Sequence, residues 1–463
     1  MSNFWDYNVW GTLNIVAILL IALLLSNALK RVKFIKRTLI PTPVIGGVIL
    51  LIISTVYTAI TGQNIFNTNF FGGDGINTLE IITYHALAIG FIVQTLSSSD
   101  KKLTKKRATE IFDTGVTTVS TYVLQAIFGI GITIIASLII TDFFPAAGIL
   151  LPFGYGQGTG QALNYGSIYE ADYGFVGGKS FGLTIAALGF LCASIGGVIY
   201  LNVLKKRGKI KIDENPLPLK QSSTALDSSD GTNSGGLDKM TIQIGLIAIA
   251  YFVTYLLMFG LGELVPGFRA VIYGFNFLFG VITATLLKMV LKKLNAKGVF
   301  KEPVIDKYLQ KRVGNFCFDI MVIAGIGAIQ LNLIKDYWAI LLILGVVGLV
   351  ITYFYNLLVA NKLFPEYKNE QFLAMYGMLT GTASTGIMLL REIDGEFKTP
   401  VSDNLVYQTL PAIVFGFPMM LLATLAPKNP TLTLLILLGF FLVMNIILFR
   451  AKIFRKRKKL SDI

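Results

Sequence analysis

Charge is scarce in this sequence: Asp, Glu, Lys and Arg make up only 14% of its 463 residues, too few to cover a water-soluble protein of this size. Histidine occurs once, at His85, and cysteine twice, at Cys192 and Cys317. A lone histidine leaves no base to spare for a nucleophile. There is no HExxH, no GxxxxGK[ST] and no GxSxG in a strand–turn–helix setting, so neither an enzyme nor an ATP-driven pump is expected. Both cysteines stand in apolar segments without CxxC or histidine-rich spacing. They read as buried thiols, not as a disulfide framework or a metal site. No small-residue cleavage site follows the first apolar segment, which is long enough to span a bilayer and reads as a retained helix.

What is abundant is apolar: 54% of the residues are hydrophobic, the composition of a multi-pass membrane protein. Apolar runs lie near 9–29, 39–60, 79–96, 111–141, 175–204, 240–260, 269–288, 314–334, 337–360, 405–426 and 431–449, each close to the length a spanning helix needs. The net charge of +14 reflects topology, not a nucleic-acid partner, because Lys and Arg fall between the runs. With the N-terminus outside and the C-terminus cytoplasmic, 36 of the 40 Lys and Arg residues lie inside, as positive loops require. The plasma membrane is the expected location. Residues 205–239 shift to Ser, Gly, Asp and Pro with few large apolar residues, which predicts a flexible cytoplasmic linker.

Five runs precede that linker and five follow it, with one more at the C-terminus, so the two halves enter the membrane from opposite sides. Each half carries one apolar segment interrupted by glycine and hydroxyl residues. The first is Gly154-Tyr155-Gly156-Gln157-Gly158-Thr159-Gly160; 223 positions later Gly377-Met378-Leu379-Thr380-Gly381-Thr382-Ala383 repeats its G-x-x-x-G-T-small pattern. Acidic pairs follow both copies, Glu170/Asp172 and Glu392/Asp394. A weaker correspondence links Pro41-Thr42-Pro43-Val44-Ile45-Gly46-Gly47 with Pro266-Gly267-Phe268 and Gly274. The expected fold is therefore all-α: an inverted five-plus-five repeat with two re-entrant hairpins, about 145–172 and 372–395, plus one extra C-terminal helix. The first repeat covers 1–204, the second 240–427, and the extra helix with its basic tail 428–463.

Exposed backbone at membrane depth is tolerated only where it is buried in protein or lines an aqueous cavity, so the two hairpin tips are expected to meet. Glycine lets the backbone turn and approach a ligand, and the amides opening the returning helix suit a carboxylate. The expected substrate-binding residues are Gly156, Gln157, Gly158, Thr159, Gly160, Asn164, Gly381, Thr382, Ser384, Thr385 and Arg391. Arg391 serves either as a partner for an anionic group or as a rim residue paired with Glu392 or Asp394. Hydroxyl oxygens of Thr159, Thr380 and Thr382 are expected to contact Na+. The alternative for the small residues is close helix packing of the GxxxG kind.

Intramembrane polar residues remain. Asp113 and Asp319 stand near their helix starts and are expected at the wet inner rim, His85 as a neutral packing residue, and Asn276 and Gln330 either on a pathway or between helices.

Three stretches resemble the sodium/glutamate symporter family. Pro41-Thr42-Pro43-Val44-Ile45-Gly46-Gly47 is similar to its P-x-P-V-x-G-G, Gly156-Gln157-Gly158-Thr159-Gly160 to its G-H-G-T-G, and Gly381-Thr382-Ala383-Ser384-Thr385-Gly386-Ile387 to its G-A-T-P-T-A-I. The resemblance runs over most of residues 9–427. It implies a homodimer and sodium-coupled uptake of glutamate by alternating access, with no cofactor beyond Na+. Three departures stand out: Gln157 replaces a histidine, Leu389 and Arg391 replace polar uncharged residues, and 431–449 adds a helix. Two other cargoes stay open, a citrate-like hydroxycarboxylate moved with sodium or protons and, from another class, ions through a channel.

Overall fold

The computed structural model describes residues 3–98, 104–208, 237–266, 269–299, 303–395, 398–451 and 453. Among these every regular element is helical and no strand occurs. The first part of the chain holds α1 (Tyr7–Leu29), α2 (Lys33–Arg37), α3 (Thr42–Thr61), α4 (Gly75–Ser97), α5 (Lys105–Ile139), α6 (Leu150–Tyr173) and α7 (Gly178–Lys206). After the linker come α8 (Lys239–Leu264), α9 (Arg269–Gly274), α10 (Asn276–Ala296), α11 (Lys307–Gly327) and α12 (Trp338–Leu363). The chain closes with α13 (Lys368–Thr380), α14 (Ala383–Arg391), α15 (Val401–Tyr407), α16 (Thr409–Leu425) and α17 (Pro430–Leu448). Most of the expected linker, 209–236, lies outside the described residues, as do Gly267 and Phe268 of the second Pro-Gly motif.

Helix ends follow the local chemistry. The Asp238 carboxylate accepts from the amides of Met240 and Thr241 and opens α8, and Asn429 does the same for Leu432 ahead of Pro430, as N-caps do. Among the described residues eight helices are long and apolar enough to cross a membrane, or nine if α15 and α16, bent by 48° at their junction, form one span. Eleven runs were expected. The runs at 269–288 and 314–334 are helical but not apolar over a full span. Lys288, Lys292 and Lys293 occupy the last turns of α10, while Lys307, Lys311 and Arg312 occupy the first two turns of α11 and Asp319 lies just past its middle. Leu24, Leu138, Val346 and Leu442 point outward from α1, α5, α12 and α17, where acyl chains replace water as solvent.

The chain divides into two compact units. The first comprises Met1–Tyr84, Lys102–Leu204 and Asp319–Ile463; the second comprises His85–Lys101 and Lys205–Phe318. The second is built on Ile92, Val93, Leu96, Ile247, Ala250 and Ala284. There His85 shares a 2.5 Å hydrogen bond between Nδ1 and the Tyr251 hydroxyl; it is partnered as expected, but it is exposed and not packed in the interior. Both cysteines are free thiols.

In the first unit, α5 is the axle. Its 35 residues rise about 52 Å, well beyond a hydrocarbon core of about 30 Å, so Lys105, Lys106 and Arg107 extend past the apolar layer. Helices α6, α12, α13, α15, α16 and α17 all pack on it. The extra helix α17 is strapped to α5 and α12 by polar contacts. The Arg450 guanidinium donates to Asp113 Oδ1 at 2.6 Å and lies 4.8 Å over the Phe112 ring, and the Tyr355 hydroxyl donates to Asn445 Oδ1 at 2.9 Å. Asp113 thus faces a cation at the helix end, and Arg450→Met leaves its part-buried carboxylate unpaired. A loss of about 1–3 kcal/mol is expected, read as a lower unfolding temperature in detergent. An unchanged temperature would show that the strap contributes nothing.

Candidate binding site at two helix hairpins

Helix α6 is two helices joined at Gly158, where φ is +77° and ψ −167°, a backbone state that is essentially glycine's alone. The arms fold back on each other. Phe153 and Tyr165 stack with ring centroids 4.1 Å apart, although a straight helix would separate residues twelve positions apart by about 18 Å. Three tyrosines pin the arms. Tyr155 OH donates to Gly345 O at 2.5 Å, Tyr165 OH to Met420 O at 2.9 Å and Tyr169 OH to Ala423 O at 2.6 Å, which satisfies each buried hydroxyl.

The second hairpin joins α13 to α14 through Gly381 and Thr382. Its arms touch backbone to backbone, because a β-carbon at Gly386 would run into the Ala374 carbonyl and one at Gly377 would lie 2.9 Å from Gly386 Cα. Tyr376 OH donates to Cys192 O at 2.7 Å, anchoring this hairpin to α7 as Tyr155 anchors the first to α12. The first helical bond of α14 runs from Gly386 N to Thr382 O and no side chain caps the helix. The amides of its first turn therefore point out of the helix start, with the dipole's positive end.

The two tips meet. A β-carbon at Gly158 would lie 3.3 Å from Thr382 Cγ2 and 3.7 Å from Met321 Cε. Beside them the buried Thr159 hydroxyl donates to Met321 O at 3.1 Å, and Thr382 Oγ1 lies 3.4 Å from Thr385 Oγ1. Gly156 is pressed against the Tyr122 ring, whose hydroxyl donates to Gly156 O at 3.0 Å. Gly160 is buried in the returning arm, and Gln157 is half-buried at the tip. Asn164 stands one turn further on, with Nδ2 3.4 Å from Gln161 Oε1. Ser384 lies in the first turn of α14, with its side chain outside the description. Thr380 turns away, its hydroxyl donating to Tyr376 O at 2.6 Å within α13.

Arg391 is not brought to this point. It occupies the last turn of α14, exposed, about 12 Å of helical rise from Ala383. Leu389, another of the departures, is buried as packing, since β-carbons at Gly197 and Gly377 would come within 2.6 Å and 2.9 Å of its methyl groups. Near the same end Lys30 follows the last turn of α1, with Nζ 3.8 Å from Met388 Sδ. Burial lowers the affinity of its amine for a proton, while the nearby Glu392 and Asp319 carboxylates raise it.

Several participants lie outside the two motifs. Met321 and Gly325 of α11 contact Thr159, and a β-carbon at Gly325 would come within 2.6 Å of Thr159 Cβ. Gln161 is 1% exposed and its Nε2 has no hydrogen-bond partner, so a strong donor beside the tips is left unused. Its sequence signal is modest, a second glutamine one turn after Gln157. The same holds for three acceptors behind the second hairpin, Gln125 Oε1, Asn356 Oδ1 and Gln371 Oε1. Each such buried orphan costs about 1–3 kcal/mol unless something solvates it.

Apolar spans in number define an all-helical multi-pass membrane protein, and its two glycine-broken hairpins bring hydroxyl and carbonyl oxygens together at their tips. The model of the sodium/glutamate symporter family matches residues 8–397, and the chain belongs to that family. Sodium-coupled symport is the activity of the family, with Na+ as the coupling ion. No curated protein is a significant match. The matched region stops before α15, short of the expected reach to 427, so α15, α16 and α17 all lie beyond it.

Proposed function

We propose that the chain is a sodium-coupled importer of a small anionic organic solute, glutamate or a related amino acid, working by alternating access. The observation that carries this reading is the meeting of the tips at Gly158 and Thr382. A carboxylate fits the uncapped amides of α14, the Gln161 amide suits a second acceptor on the solute, and Na+ fits the oxygens around Thr159 and Thr382. Helical residues at membrane depth that bend back on themselves are what discontinuous-helix transporters use for solute and ion together. The hairpins are then re-entrant from opposite faces, the halves are inverted repeats, and the N-terminus is outside. The segments 110–200 and 370–426 form the moving part of a protein that acts as a homodimer in the plasma membrane, and the chain carries out no bond chemistry.

The test is uptake of labelled glutamate into proteoliposomes under an inward sodium gradient, with potassium as control and with aspartate and citrate as competitors. Accumulation that needs sodium and is competed by amino acids is expected. One sodium with one monoanion moves no net charge, so an imposed potential, worth about 2.3 kcal/mol per charge per 100 mV, speeds uptake only if further cations travel. Competition by citrate alone would favour the hydroxycarboxylate cargo, and equilibration without accumulation would favour a channel.

A further inference from the structure

One face of α5 is polar along its buried length. Thr114, Thr117, Thr118, Thr121 and Gln125 stand at i, i+3, i+4, i+7 and i+11, all at most 1% exposed, and so form a single stripe. Helices α12 and α13 and the junction of α15 with α16 answer it with carboxamides. Gln371 Nε2 donates to Thr114 Oγ1 at 3.2 Å, and Thr118 Oγ1 donates to Gln408 Oε1 at 2.9 Å. Asn356 Nδ2 donates to Thr352 O at 2.9 Å, and Gln125 Nε2 to Thr352 Oγ1 at 2.8 Å and Leu379 O at 2.9 Å.

In three of these four carboxamides the nitrogen is used and the oxygen is not: Gln125 Oε1, Asn356 Oδ1 and Gln371 Oε1 have no partner. For two of them the orientation follows from chemistry. The nitrogens of Gln125 and Asn356 face main-chain carbonyls, which only accept, so they cannot be exchanged with the oxygens. The stripe therefore has surplus lone pairs, fixed as such at Gln125 and Asn356, which suits a cation. It also holds no carboxylate, which a divalent ion in a protein site ordinarily requires. Its two ends are informative. Thr114 follows Glu110 and Asp113 at the charged end of α5, while Gln125 binds the carbonyl of Leu379, two residues before Gly381. The eleven steps from one to the other rise about 16 Å.

We infer that this stripe is a hydrated track for a small monovalent cation, running behind the second hairpin from the charged end of α5 to the hairpin turn, apart from the solute's own site. The inference rests on sodium coupling as proposed above. It separates the routes of the two cargoes: the solute meets the face where Gly158 and Thr382 touch, and the ion reaches the turn from the α5 side.

Gln125→Met and Asn356→Leu keep the bulk and remove the lone pairs. Each is expected to raise the sodium concentration for half-maximal glutamate uptake about fivefold or more, because a ligand to a charged species is lost, while the glutamate concentration for half-maximal uptake at saturating sodium stays at its wild-type value. Unchanged sodium dependence in variants that unfold at the wild-type temperature overturns the track. So does a rise in both constants together, which marks a structural role. A second measurement needs no transport. Thr121→Cys, compared with its parent, is expected to react with a methanethiosulfonate reagent bearing an ammonium head, to be slowed by sodium but not by choline, and to resist the sulfonate analogue; equal labelling by both heads, or by neither, overturns the track. Wild-type uptake indifferent to sodium would count against the proposed function, whereas the labelling result judges the track alone.

Discussion

Gly158→Ala is expected to reduce sodium-driven uptake about tenfold to a hundredfold, since a residue with a β-carbon in this backbone region is strained by roughly 1–3 kcal/mol. The strain falls on the turn itself. At φ +77° and ψ −167° the chain reverses between the arms of α6, and relaxing the turn would part Phe153 from Tyr165. The new methyl would also stand 3.3 Å from Thr382 Cγ2, so the second tip must give way where the two hairpins touch. A matched control sits in the same unit. Gly131 in α5 has no heavy atom within 4 Å of where a β-carbon would go, and alanine there favours the helix by about 0.5–1 kcal/mol. Gly131→Ala should therefore transport at the wild-type rate and unfold no earlier. Uptake by Gly158→Ala within twofold of wild type, in protein that remains folded by thermal unfolding, would remove the hairpin turn from the mechanism.

The turns were legible in the sequence because they conflict with their surroundings. Gly-Gln-Gly-Thr-Gly and Gly-Thr-Ala-Ser-Thr-Gly cannot be explained as ordinary apolar helix, and their recurrence at corresponding places led to the expectation that the tips meet, as Gly158 and Thr382 do. What sequence could not supply was the third wall of the site. Met321 enters through its carbonyl, which every residue has, and Gly325 through its lack of a side chain, so neither carries a chemical label. Arg391, read either as a partner for an anionic group or as a rim residue, is carried by the nine residues of α14 to the far end of the hairpin. The polar stripe of α5 had a visible period, Thr114 to Gln125, but threonine in a membrane helix usually bonds to its own preceding turn. Thr114, Thr117 and Thr121 do that, and only their contacts across to Gln371 and Asn356 distinguish the face.

The span count diverged where charge and helix length compete. Helices α10 and α11 continue past their apolar parts into lysine-bearing turns, because helical hydrogen bonding is local and does not end where hydrophobicity does. Hydropathy locates the membrane-compatible part of a helix; caps and glycines locate its ends. At α3, Pro41-Thr42-Pro43 opens the helix and Gly62, at φ +77°, closes it, and there the expected run of 39–60 falls within three residues of both ends.

Thr159 and Thr380 were both expected to contact sodium, and their hydroxyls now predict different outcomes. Thr380 donates to Tyr376 O, four residues back in α13, a carbonyl that belongs to a continuous helix. Thr159 donates to Met321 O on another helix, at a point with no exposure to solvent. Thr159→Val keeps the shape and removes a hydrogen bond between two elements in a dry interior, at about 0.5–1.5 kcal/mol, and it withdraws an oxygen from the place where the tips and α11 converge. Uptake is expected to fall about tenfold or more, with a higher sodium requirement. Thr159→Ser, which restores the hydroxyl, should recover most of the rate. Thr380→Val loses a bond made within its own turn, and its effect is expected to stay within about threefold. Equal defects in Thr159→Val and Thr380→Val, or failure of serine to rescue in folded protein, would move the ion contact off Thr159. A defect confined to Thr159→Val would place it where the first tip meets α11, since the hydroxyl of Thr159 bonds to another helix and not to its own preceding turn.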